Sequence, residues 1–144
     1  MRKRGKNAVR YGPEDWEAWA AALAFVDSAL IGVAAFPVEP DVVTAGRRLW
    51  TRLEALGRLE ASLRGRLALL PPVIEYGRLR KESMEFEAVR RAFRYVFLAP
   101  LDEALPGART GEDGASGRLI VLPPNGDERM WYRVIVDTWH GGES

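Results

Sequence analysis

The sequence predicts an α+β domain: a three-helix bundle, with two helices packed around a central apolar one, carrying a C-terminal antiparallel β-hairpin. Three observations carry that expectation. Residues 13–35 are apolar nearly all round a helical projection, and Leu49, Leu56, Leu63 and Leu70 recur every seven residues. RLIVL and RMWYRVIVDTW flank PPNGDE, in which Asn125-Gly126 suits a type I′ turn. The 144 residues have the length of one domain, which buries roughly two thirds of the surface its unfolded chain exposes. Along the chain the expectation divides into a basic arm (1–12), a helical body (13–98), a glycine-rich loop (99–117) and the hairpin (118–139).

Pro13 opens the first helix, and Glu14 and Asp15 then lie in its first turn, where carboxylates suit the positive end of the dipole. Trp16, Trp19, Leu23, Val26, Leu30 and Ala34 recur at spacings of three and four, while Phe25 and Phe36 project oppositely, so the helix is central. Pro37 and Pro40 mark the following turn. The second helix spans about Asp41 to Leu70, its leucine stripe joined by Leu53 and Leu67 and interrupted by Glu60. Glu54–Arg58 and Glu60–Arg64 are favourably ordered pairs four apart, and Pro71 and Pro72 end the helix.

VIEYGRLRKES is ambiguous between a short helix and an irregular strand. From Ser83 to Leu98 the pattern is helical again, with Phe86, Val89, Phe93, Val96 and Phe97 on one side and Pro100 closing the element. PGARTGEDGASG reads as a surface loop. In the hairpin, Pro123 and Pro124 leave a four-residue loop open beside the two-residue turn. The two-residue turn sets Leu119, Val121, Met130, Tyr132, Val134 and Val136 on the face toward the helices. Arg118, Ile120, Leu122, Arg129, Trp131, Arg133, Ile135 and Trp139 then lie on the outer one. NAVRY offers a third strand, giving a small two- to three-stranded sheet.

Residues 18–36 are about long enough to cross a bilayer and hold one charge, Asp27. A central aspartate costs roughly 3 kcal/mol, about what the larger apolar residues return, and both flanks are acidic, so a buried helix is expected and membrane insertion is not. Acids also separate the basic arm from the apolar run, unlike a signal peptide. The absence of cysteine removes disulfides, thiolate metal sites and cysteine nucleophiles, and suits a reducing cytoplasm. Eighteen arginines against three lysines, two asparagines and no glutamine form a bias met in thermophiles and in GC-rich genomes alike.

His140, the only histidine, rules out triads and histidine-rich metal sites, and Asp137 beside it reads as part of a solvated tail. The glycines of 107–117 match no nucleotide-binding pattern, so no cofactor and no catalytic residue is expected. Asp27 and Glu60 interrupt apolar stripes. Each is a buried acid that would mark an active site, or one held by an arginine, for Asp27 one such as Arg48 or Arg52.

Two surfaces remain. Arg2, Lys3, Arg4, Lys6 and Arg10 form a basic arm able to neutralise nucleic-acid phosphates, although a net charge of +1 gives no general attraction. On the outer hairpin face, Trp131 and Trp139 alternate with Arg129 and Arg133 beside Ile120 and Leu122, a composition enriched at protein-binding hot spots. That face is expected to meet either a protein partner or a cover from the chain itself, the 99–117 loop or the basic arm.

In size, arginine bias, lack of cysteine and a basic start, MRKRGKNAVRYGPEDW, the chain resembles the small RNA-polymerase-binding transcription regulators of thermophilic bacteriophages. The resemblance lies in general character across the chain and assigns no individual residue. It implies a non-enzymatic regulator in the host cytoplasm that docks on the polymerase β-subunit flap and the sigma factor to inhibit or redirect transcription. A nucleic-acid-binding protein led by the basic arm, and a phage structural or assembly subunit, are the alternatives.

Overall fold

The computed structural model describes residues 26–37, 40–63, 65–77, 79–80, 85–101, 118–124 and 127–142. They form a parallel sheet flanked by helices, which replaces the expected three-helix bundle with an antiparallel hairpin. The order is β1 (Ser28–Phe36), α1 (Val42–Ser62), β2 (Leu67–Leu69), β3 (Val73–Tyr76), α2 (Glu87–Ala92), β4 (Tyr95–Pro100), β5 (Arg118–Val121) and α3 (Glu128–Gly142). All five strands pair in parallel, with β1 central. β2 and β3 share one side of β1, meeting its first and second halves, while β4 takes the other side and β5 lies beyond it.

Three of these strands, β1, β2 and β4, come from segments expected to be helical. SALIGVAAF and YVFLAP are buried along almost their whole lengths. A parallel strand covered on both faces needs apolar side chains on both, so it loses its alternation and reads like a buried helix. The expected central helix is therefore strand from Ser28, and its earlier part, residues 13–25, lies outside the described residues. Among the described residues no helix is long and apolar enough to cross a membrane. The expected third helix shrinks to α2, and the ambiguous VIEY becomes β3.

The helix read from the leucine repeat survives as α1. Asp41 caps it, its carboxylate accepting from the Val43 amide at 3.1 Å and from the Thr44 hydroxyl at 2.7 Å. It stops at Leu63, ahead of Gly65 at φ +95°, rather than at the prolines. Arg58 does not make the expected pair with Glu54; it bonds Glu128 of α3 at 2.8 Å. Arg64 lies outside the described residues.

α1 and α3 cover one face of the sheet, where Leu56, Leu59, Trp131 and Ile135 pack on Leu30, Ala34, Tyr95 and Phe97. α2 and its flanks cover the other, with Leu79, Phe86, Val89 and Phe93 against Ile31, Val33, Val96 and Leu98. Connections thus leave β1 over one face and return to β4 over the other, the plan of an open sheet wound in two directions from its centre. Gly32 lets α1 approach β1: a Cβ there would stand 2.6 Å from Leu56 Cδ1.

The hairpin is overturned by the register. β5 pairs in parallel with β4, from Tyr95 opposite Arg118 to Leu98 opposite Val121. The expected returning strand, 129–139, lies within a helix, Glu128–Gly142, while Asn125 and Gly126 fall outside the described residues. Trp131, Ile135 and Trp139, four apart, form the buried stripe of α3, whereas Met130 and Tyr132 are exposed. The faces are therefore exchanged for Trp131, Ile135 and Trp139 and for Met130 and Tyr132, while Arg129 and Arg133 stay outside and Val134 and Val136 stay partly buried against the core. A third strand from NAVRY, the basic arm and the loop from 102 to 117 lie outside the described residues.

Candidate functional site

In a sheet wound both ways, ligands bind at the carboxyl ends of the strands, where the order reverses; here that is between β1 and β4. Anionic ligands there usually use a helix N-terminus approached through glycines. In this chain PVEPD joins β1 to α1, and the Asp41 carboxylate already takes the amide of Val43. Hydrogen bonds from the Thr44 hydroxyl and then that amide hold the Asp41 pKa below the usual aspartate value. α3 begins the same way, with Asp127 accepting from the Met130 amide at 2.9 Å. Both helix starts thus present a carboxylate where a phosphate would need a free donor. At the same end of the sheet β3 carries the exposed ring of Tyr76, edge-on to Phe36 at 6.1 Å, and Glu75, paired with Arg80.

At the opposite end of the sheet Asp27 is held by Arg66, not by Arg48 or Arg52. Arg66 donates from Nε to Oδ1 at 3.0 Å and from Nη2 to Oδ2 at 3.1 Å. The Ser28 hydroxyl donates to Oδ1 at 2.9 Å and accepts the Trp139 indole N–H at 2.8 Å. Each donor faces an acceptor, so the cluster locks the start of β1 to the end of α3. Arg52 instead donates to the Leu101 carbonyl at 2.8 Å, just beyond β4. Glu60 is fully buried in α1, yet it is not without a partner. No group of His, Asp and Glu able to hold a metal ion occurs among the described residues.

The six residues expected on one outer face are dispersed. Trp131, Trp139 and Leu122 are core, Ile120 is partly buried against the same cluster, and Arg129 and Arg133 are exposed on α3. The helical turn is the cause: residues two apart share a strand face but lie about 200° apart on a helix. Trp131 is anchored by its indole N–H, which donates to the Pro123 carbonyl at 2.9 Å. The basic arm lies outside the described residues, so Arg2, Lys3, Arg4, Lys6 and Arg10 have no place in this geometry.

Where Arg129 and Arg133 do stand is beside an open groove of about 830 Å³ between α1 and α3. Leu59, Tyr132 and Val136 supply its apolar surface, and Asp127, Glu128 and Asp137 its acids. Two of those acids are engaged: Asp127 caps α3 and Glu128 pairs with Arg58. Neither Arg129 nor Arg133 has an ion-pair partner among the described residues. The lining thus carries two guanidiniums without ion-pair partners among the described residues and three carboxylates, of which only Glu128 is offset by a cation, Arg58. Tyr132, expected in the core, is turned outward; the signal is the charge of Arg129, Arg133 and Asp137, which a strand would set on one face with Trp131, Ile135 and Trp139.

Compared with models of known families, with curated proteins and with solved structures, the chain shows no match.

Proposed function

We propose that the protein is a non-enzymatic regulator that captures an acidic segment of a protein partner in the groove between α1 and α3. The observation that carries this reading is the pair of unpartnered guanidiniums, Arg129 and Arg133, one helical turn apart beside the apolar surface of Leu59, Tyr132 and Val136. An arginine forks onto carboxylates and a tyrosine adds contact area at small entropic cost, so together they suit an acidic segment with an apolar anchor. The carboxylates at both helix starts weigh against a phosphate-binding enzyme of the kind such sheets often support.

The partner class is the one implied by the resemblance to phage transcription regulators: RNA polymerase with its sigma factor, met in the cytoplasm. The test is capture of purified bacterial RNA polymerase holoenzyme by the full chain. Capture should be lost in Arg129→Ala/Arg133→Ala and weakened in Tyr132→Ala, with thermal melts near that of the parent. Capture that survives both substitutions removes the groove from the reading, and failure to retain holoenzyme removes the polymerase. A partner held by the basic arm would instead be lost on deleting residues 1–6, with steep salt dependence.

A further inference from the structure

The outer face of α1 is distinct from the groove. Trp50 stands there 64% exposed, with Val43 60% exposed two turns earlier. Arg47 and Glu54 lie on the same face, one turn before Trp50 and one turn after it, both exposed. Neither has an ion-pair partner among the described residues, and along the helix only Glu54 has an opposite charge, Arg58, at the spacing that allows one. Arg58, farther along, is already held by Glu128. The stripe is thus an uncovered indole with one free cation on its N-terminal side and one free anion on its C-terminal side.

That pattern is complementary to itself. In a two-fold interface, if residue i meets j, then j meets i. Two copies of α1 laid antiparallel, with the axis passing between Trp50 and Thr51, place Arg47 of each opposite Glu54 of the other, because both stand about 5 Å from the axis. The same operation brings the two Trp50 rings together at the centre, where hot-spot aromatics are found. Parallel pairing would set Arg47 against Arg47 and Glu54 against Glu54. An acidic partner would satisfy Arg47 and repel Glu54, whereas a second copy satisfies both.

We infer that the outer face of α1 binds a second copy of this chain, forming an antiparallel two-fold dimer centred on Trp50 and closed by two Arg47–Glu54 pairs. Sedimentation of the full chain over a wide concentration range reads this directly, the apparent mass rising from 16.1 kDa toward twice that value. Trp50→Ala should remain monomeric with an unchanged melt in dilute solution. Arg47→Glu and Glu54→Arg should each weaken dimerisation by about tenfold. The doubly reversed chain, R47E/E54R, should recover it, because the complementarity is restored with its sign inverted. A parent chain monomeric throughout, or a double reversal no better than the single ones, overturns the inference. Because Arg129 and Arg133 lie off this face, Trp50→Ala should leave polymerase capture intact, which keeps the two tests separate.

Discussion

The Arg66 guanidinium lies 4.4 Å from the centroid of the Trp139 ring while two of its nitrogens hold both carboxylate oxygens of Asp27. One side chain therefore joins the start of β1, the turn before β2 and the end of α3. Lysine keeps the charge and loses both the fork and the stack. Arg66→Lys should cost about 1 kcal/mol and Arg66→Ala about 2 kcal/mol by urea denaturation, modest values because the ionic groups are about one-third exposed. In a double-mutant cycle with Asp27→Asn, additivity would show that the pair contributes nothing.

Trp131 and Tyr132 are adjacent rings with opposite roles. Trp131→Ala should lose about 3–5 kcal/mol, since it empties a fully buried volume. Tyr132→Ala, at 43% exposure, should stay within about 1 kcal/mol of the parent. The reverse order of stabilities would return residues 128–142 to a strand.

Gly32 has no room for a side chain without displacing Leu56. Gly32→Ala should destabilise by about 1–2 kcal/mol, at the lower end of overpacking costs because the obstacle is a methyl tip. With Leu56→Ala the two losses should be less than additive, as the second substitution opens the space the first needs. Full additivity would mean that the approach of α1 to β1 is not limiting.

Gly77 follows β3 at φ +94° with nothing near a hypothetical Cβ. Gly77→Ala should cost about 1 kcal/mol from backbone conformation alone, and a D-alanine introduced by chemical synthesis should not.

The Asp41 cap predicts a pH dependence. Its folded pKa is lowered by the Thr44 hydroxyl and the Val43 amide, so the stabilisation is present above the ordinary aspartate value and is lost as pH falls through the folded one. Asp41→Ala should melt below the parent at neutral pH, and the two melts should converge in acid below the usual aspartate range. A gap of constant size would assign the effect to something other than the carboxylate.

Different elements were legible to different degrees. α1 was readable because one of its faces meets water: the leucine stripe, Asp41 and the polar positions between them agree, and only its end was placed too late. β1 and β4 were unreadable because both of their faces are covered, which erases the period that separates strand from helix. The alanines of SALIGVAAF, good helix formers, pull the reading the wrong way. In α3 the two periods coincide at Trp131, Ile135 and Trp139, but the outward residues 133 and 137 fit only the helix, since a strand would set them on the same face as those three. Exposed Met130 and Tyr132, which the strand reading buries, agree with the helix. Arg129 and Arg133 were found by composition, yet the groove they flank needed a helix from elsewhere in the chain.

Pro71 and Pro72 sit between β2 and β3, the two short strands that lie end to end along the same side of β1. Neither proline has an amide hydrogen, so an extended chain arriving at that margin would meet a break in its donors after three residues. β5, the strand beyond β4, is four residues long. Among the described residues the sheet is thus abbreviated at both margins, which makes it a poor template for further strands and favours resistance to fibrous aggregation.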